Sequence, residues 1–186
     1  MKLGRRIFGF LMCLAMIPAA VRAQDQAKSS SEEVAKHLRV DFLLTEYNGE
    51  QKISSMPYTM YVEALPAGRG RQMGQLRMGV RVPISRGNDI SYQDVGTGID
   101  CTPLILADDS YDLLVNIDRS SVYATDNTQG KTDQILQAVG GYPVIRNFNA
   151  HFSLKLHDGE TAEGTSATDP FNGHVLKVMV TLHVVK

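Results

Sequence analysis

The 186-residue chain has only two cysteines, Cys13 and Cys101, and little aromatic content at 7%. Cys13 sits in an N-terminal apolar run that reads as a removable leader. Its loss would leave Cys101 alone, which excludes an internal disulfide framework. The expected role of Cys101 is that of a small buried strand residue, with a reactive or intermolecular thiol as the competing reading. No apolar stretch reaches the roughly 20 residues that a spanning helix needs. A surplus of positive charge is also missing. With Lys2, Arg5, Arg6 and Arg22 removed, 15 basic face 20 acidic side chains, a net charge of −5, which argues against a general nucleic-acid binder. A helical period of 3.6 is not sustained anywhere, so long helices are excluded as well.

Catalytic signatures are equally scarce. Neither Ser120-Ser121 nor Gly164-Thr165-Ser166 has the strained Gly-x-Ser-x-Gly form of an acyl-transfer nucleophile. Gly68-Arg69-Gly70-Arg71 lacks the Lys-Ser/Thr step of a phosphate loop. His151 and His157 share one strand face, with His174 and His183 on neighbouring strands, but a six-residue separation at about 3.3 Å per residue is too long for shared metal coordination. Asp108, Asp109 and Asp112 lack the ligand spacing of an EF-hand and read as turn chemistry. The sequence therefore predicts no enzyme, no metal and no cofactor.

The N-terminus is informative. Lys2, Arg5 and Arg6 precede the apolar run Ile7 to Ile17, and Val21-Arg22-Ala23 closes it with a cleavage-type segment. Residues 1–23 are read as a signal peptide and 24–37 as a polar, Ser-rich tether. The expected location is periplasmic or extracellular, with outer-membrane association a further expectation.

From Leu38 onward the period is two. Leu38, Val40, Phe42 and Leu44 alternate with polar neighbours; Leu76 to Ile84, Phe148 to Leu156 and Leu176 to Val184 do the same. Asn48-Gly49, Asp158-Gly159 and Asn172-Gly173 read as tight turns, the first two as hairpins. Pro57 marks a strand that is broken or at an edge. Asp133 to Val139 is expected to form a short helix. Together these features predict an all-β fold, an antiparallel sandwich or barrel-like sheet of about seven to nine strands in one domain, 38–186.

Arg69, Arg71, Arg77, Arg81 and Arg86 fall in a segment from Ala64 to Asn88 without a carboxylate. Two readings stay open: a solvated face, or a patch for an anionic partner.

Four segments follow one another in an order that is specific. Asn48-Gly49 with Met56-Pro57-Tyr58 comes first, then Tyr92-Gln93-Asp94-Val95-Gly96 leading through Ile99, Asp100, Cys101 and Thr102 to Pro103. Tyr111 to Ile117 with Ser120-Ser121-Val122 is third, and an Arg146-led strand closing on Asp158-Gly159-Glu160-Thr161 is fourth. In this the chain resembles the C-terminal β-domain of bacterial secretins, the outer-membrane channels of type II and type III secretion and type IV pilus systems. The residues that carry the resemblance include Tyr92, Asp94, Val95, Gly96, Pro103, Asp158, Gly159 and Thr161. After Thr161 the chain departs from the family, with Ala162-Glu163-Gly164-Thr165-Ser166 in place of an apolar Gly-Gly strand.

The resemblance implies a stand-alone secretin-like β-domain without N-terminal ring domains. It would be a non-enzymatic envelope protein acting as an interaction or assembly module of secretion or pilus machinery, its partner another envelope protein or itself. Two alternatives stand beside this: a minimal outer-membrane pore, and an exported hydrolase or redox enzyme using Cys101.

Overall fold

Period-two alternation becomes eight strands in the computed structural model, which describes residues 34–86, 89–122 and 144–185. In chain order they are β1 (Lys36–Asn48), β2 (Gln51–Pro66), β3 (Gly74–Arg86), β4 (Asp89–Ile105), β5 (Tyr111–Val122), β6 (Ile145–Leu156), β7 (Thr161–Thr168) and β8 (Val175–Val184). Among the described residues there is no helix. The signal peptide, the short helix expected at Asp133 to Val139 and most of the tether lie outside the described residues; β1 itself begins two residues ahead of the expected Leu38.

The strands form one mixed, barrel-like sheet in the order β6-β5-β4-β2-β1-β8-β7, with β3 paired to β4 off that path. It is not wholly antiparallel. β2 and β4 run parallel at a seam of two residue pairs, Leu65 with Leu104 and Pro66 with Ile105. Pro103 explains how β4 manages this: one of its edges pairs β3 as far as Cys101 and β2 from Leu104. The proline, lacking an amide donor, occupies the position between the two partners, where no ladder bond is required on that side.

Pro57 follows the same logic. It sits opposite Leu43 where the β1–β2 ladder is continuous on both sides, and β2 pairs with its other neighbour only at Leu65 and Pro66, so the strand is an edge at Pro57 but is not interrupted there.

The inward residues meet in one core. Leu38, Val40, Phe42 and Leu44 of β1 face Val178, Val180 and Leu182 of β8, while Ile99 and Cys101 of β4 and Leu113, Val115 and Ile117 of β5 close the other side. Each is almost wholly removed from water, and burying such a side chain is worth about 1.5–3 kcal/mol. Phe148, Phe152 and Leu154 of β6 also pack against this core, so the alternation of that strand is satisfied inside the domain.

Two turns differ from the sequence expectation. In the β1–β2 hairpin Asn48 still pairs, with Gln51, and the loop is Gly49-Glu50; Gly49 alone has positive φ, at 59°, the pattern of a type II′ turn. Asp158-Gly159 is no hairpin, because β6 pairs with β5 and β7 pairs with β8. The turn closes by Glu160 N–H donating to His157 O at 3.1 Å, with Gly159 at φ 79°, and it carries the chain from one side of the sheet to the other. Where β6 and β7 approach, a bulge at Gly164 makes room for Phe152: a Cβ at Gly164 would lie 2.3 Å from its ring.

Candidate interaction sites

β5 pairs with β4 only from Thr97 to Ile105, whereas β3 pairs with β4 along its whole length from Asp89 to Cys101. Residues 89–96 of β4 and their β3 partners are therefore a two-stranded ribbon extending past the rest of the sheet. Both faces carry exposed apolar side chains. Val80, and Met78 at the foot of the ribbon opposite Thr97, lie on the face that continues the core side, Ile90 and Tyr92 on the other, and these four are 65–68% exposed.

The base of the ribbon is drawn tight by two glycines. Gly79 and Gly96 are direct partners, and a Cβ on Gly96 would stand 2.1 Å from Met78 O and 2.5 Å from the Gly79 Cα. Ser120 Oγ of β5 accepts a hydrogen bond from Gly96 N at 3.1 Å. Gly96 thus marks the place where the ribbon leaves the three-stranded sheet. Asp94 pairs with Arg81 across the ribbon at 2.9 Å, Val95 is half-buried and Tyr92 projects to solvent.

The second group of motif residues fastens the β6–β7 crossing onto the end of β8. Asp158 Oδ1 accepts from Val184 N at 2.8 Å, Gly159 N donates to Leu182 O at 2.8 Å, and the Thr161 and Thr181 hydroxyls lie 2.7 Å apart.

The arginine-rich segment meets its carboxylates from neighbouring strands. Arg71 reaches Asp112 at 3.3 Å, Arg77 reaches Asp100 at 2.7 Å and Arg81 reaches Asp94, as above. Arg69 lies in the loop after β2, where its N–H donates to Pro66 O, and Arg86 pairs in register with Asp89. Three of the five arginines, Arg71, Arg77 and Arg81, are thereby balanced in space by carboxylates distant in sequence.

Asp108 and Asp109 lie in the β4–β5 connection as turn residues, whereas Asp112, also expected there, is the second residue of β5. Asp108 accepts from the Ser110 hydroxyl and from Lys155 at 2.5 Å, Asp109 adopts φ 57° and pairs with Lys36, and Asp112 is taken by Arg71. Lys155, then Ser110, hold the Asp108 carboxyl far below the usual carboxylate range. The histidines are dispersed: His151 is exposed on β6, His157 bonds Glu160, His183 faces Asp41 at 3.8 Å and His174 lies elsewhere. Cys101 is buried, and burial pushes its thiol up to about 12. A thiolate nucleophile is not formed under those conditions.

A cluster that sequence reasoning left unassembled closes one end of the core. On β1 the inward positions run Leu38, Val40, Phe42, Leu44 and then Glu46; on β5 they run Leu113, Val115, Ile117 and then Arg119. Arg146 holds the corresponding place on β6 and His174 precedes the inward Leu176 of β8. Each strand therefore ends its apolar stripe with a polar group at the same end of the fold. The signal was present as charged residues in phase with an apolar stripe, which ordinary strand reading treats as the stripe's termination.

Geometry makes the cluster a network. Arg146 forks onto Glu46 at 2.8 and 3.2 Å, meets Asp169 at 3.0 Å and donates to Ser121 Oγ at 3.2 Å. His174 Nδ1 lies 3.3 Å from Glu46 Oε1. Asp169 is held in the β7–β8 turn, where its other oxygen accepts from Phe171 N at 2.8 Å. Burial opposes the charge of Arg146, but the two carboxylates outweigh it and raise its pKa; burial likewise opposes Glu46, and Arg146 and His174 pull its carboxyl below the ordinary value. Beside the network lies a cavity of about 250 Å³, bordered by residues of β6 and the β7–β8 turn.

No protein-family model and no curated protein sequence matches the chain. Solved structures do. The InvG secretin-domain β-barrel of the Salmonella SPI-1 injectisome matches at 8% identity and TM-score 0.47, over 82% of this chain and 64% of that one. The type II secretin GspD of enteropathogenic Escherichia coli matches at 10% identity and TM-score 0.43, over 82% and 66%. Aeromonas hydrophila ExeD matches at 13% identity and TM-score 0.43, over 81% and 47%. The chain thus spans less than two thirds of each of these chains, and its similarity to secretin C-terminal β-domains, at these identities, is one of fold.

Proposed function

We propose that this is a non-enzymatic exported protein of the cell envelope, a secretin-like β-domain that works by association, with the β3–β4 ribbon as its principal contact surface. The observation that carries the reading is the ribbon itself. An isolated pair of strands is marginal in water, and this one exposes Met78, Val80, Ile90 and Tyr92 on its two faces. Apolar side chains gathered on a projecting element mark a surface that meets another protein. β3 also leaves one edge without a strand partner among the described residues, which a further strand can extend.

The partner in this reading is another copy of the chain or a second envelope protein in secretion or pilus machinery, in keeping with the sequence resemblance around Tyr92 to Pro103. Export rests on the leader-like residues 1–23. The full chain produced in a bacterial host and recovered from the envelope fraction tests the proposal by light scattering after size separation. A multimer, or a defined complex with one envelope protein, is expected, and a Val80→Ser/Tyr92→Ser variant is expected to lose it. A monomer at every concentration, with no co-purifying envelope protein, would overturn the reading. Heat-resistant, detergent-dependent multimers in the outer-membrane fraction would shift the assignment to the pore alternative.

A further inference from the structure

Arg119 differs from the other members of the polar cluster. It occupies the core face of β5 directly after Ile117, with Phe148 of β6 and Thr97 of β4 as its register neighbours. Its hydrogen bond among the described residues goes to the Met56 thioether, at 3.5 Å. The nearby carboxylates are committed elsewhere: Glu46 to Arg146 and His174, Asp169 to Arg146. Burial, and after it the like charge of Arg146, depress the pKa of Arg119. A guanidinium presents five donors in a fixed fork, and a sulfur atom is a weak acceptor for them. Fork donors left with so weak an acceptor in this half-buried position can take a stronger one.

This guanidinium borders the cavity of about 250 Å³, whose other walls include Phe148, Phe171 and Leu176. We propose that the cavity is a binding site for a small organic monocarboxylate with an apolar body, the carboxylate forked onto Arg119 and the body set against Phe148, Phe171 and Leu176. Carboxylate geometry matches the guanidinium fork, and the pair is of the strong, charge-assisted kind. Glu46 and Asp169 on the same wall disfavour a second negative charge, which selects against dianions such as phosphate. At roughly 30 Å³ for each water-sized unit of occupied volume, the space suits a molecule of about eight to ten heavy atoms.

Benzoate is a probe of that size and charge. Titrated into the isotopically labelled protein, it is expected to give saturable amide shifts centred on Asn147, Phe148, Phe171 and His174. Benzyl alcohol and inorganic phosphate are expected to bind at least ten-fold more weakly, and Arg119→Met to weaken benzoate at least ten-fold. Absence of saturable shifts with benzoate, equal binding of benzyl alcohol or phosphate, or unchanged affinity in the Arg119→Met protein would each overturn the proposal. Should Arg119→Met fail to fold, Phe171→Ser keeps the guanidinium and removes an exposed ring that forms one wall; undiminished benzoate affinity in that variant overturns the proposal equally.

Discussion

Arg146 and Glu46, a hundred residues apart in sequence, meet through two parallel N–H to oxygen contacts of 2.8 and 3.2 Å. With side chains 22% and 10% exposed, they form a largely desolvated fork that ties β1 to β6 across strands that do not pair. Removing Arg146 takes the guanidinium from both Glu46 and Asp169, whereas removing Glu46 leaves Arg146 with Asp169. Arg146→Met is expected to lower unfolding free energy by about 3–5 kcal/mol and Glu46→Gln by less. In urea unfolding the double variant should lose less than the sum of the two single losses, as expected for residues in direct contact; strictly additive losses would show that the two residues act separately.

The same fork gives a signed pH dependence. Glu46 has its folded pKa held below the ordinary 4.5, because Arg146 and His174 outweigh the burial that opposes its charge. Its contribution is therefore complete above about 4.5 and drains away as pH falls below that value through the lower folded pKa. Unfolding midpoints measured between pH 6 and pH 3 should fall for the wild-type protein. In Glu46→Gln the part of that slope below pH 4.5 should be smaller; an identical slope would remove Glu46 as its source.

Two glycines should respond to alanine for different reasons. At Gly96 the added methyl would meet backbone atoms at 2.1 and 2.5 Å, so the ribbon must open, at a cost on the order of 1–3 kcal/mol. At Gly49 nothing stands within 4 Å, and the cost is that of φ 59° alone, about 1–2 kcal/mol. Hydrogen exchange separates the cases: Gly96→Ala should raise exchange across residues 76–82 and 92–98 while Gly49→Ala leaves those residues unchanged.

Cys101 should behave as a reporter of global unfolding. Its side chain is buried and its thiol is pushed up to about 12, so a thiol reagent at pH 8 should label it no faster than the protein unfolds. Labelling that outruns unfolding would place the thiol within reach of solvent in the folded state.

Much of the strand pattern was legible because most strands alternate along the greater part of their length. β3, β6 and β8 lie where Leu76 to Ile84, Phe148 to Leu156 and Leu176 to Val184 placed them. Connectivity was less legible, since a turn signature such as Asp158-Gly159 is the same whether the chain folds back on its own strand or crosses to another. The asymmetry of β4 at Pro103 was also hidden, because a proline reports a missing donor and not which two neighbours share the edge. The polar cluster escaped for a third reason: Glu46, Arg119, Arg146 and His174 are distant in sequence, and only the register brings their stripe ends to one place.

The pairing of β1 with β8 joins the first strand of the domain to the last, Leu38 opposite Val184. β1 and β8 stand at opposite ends of the domain's sequence, so Leu38, Val40, Phe42 and Leu44 have no lasting cover on that side until the most distant strand has paired. Such long-range closure is slow, since the loop entropy must be met before the contacts form. The apolar stripe of β1 therefore gains its β8 cover late in folding, after the local hairpins have formed.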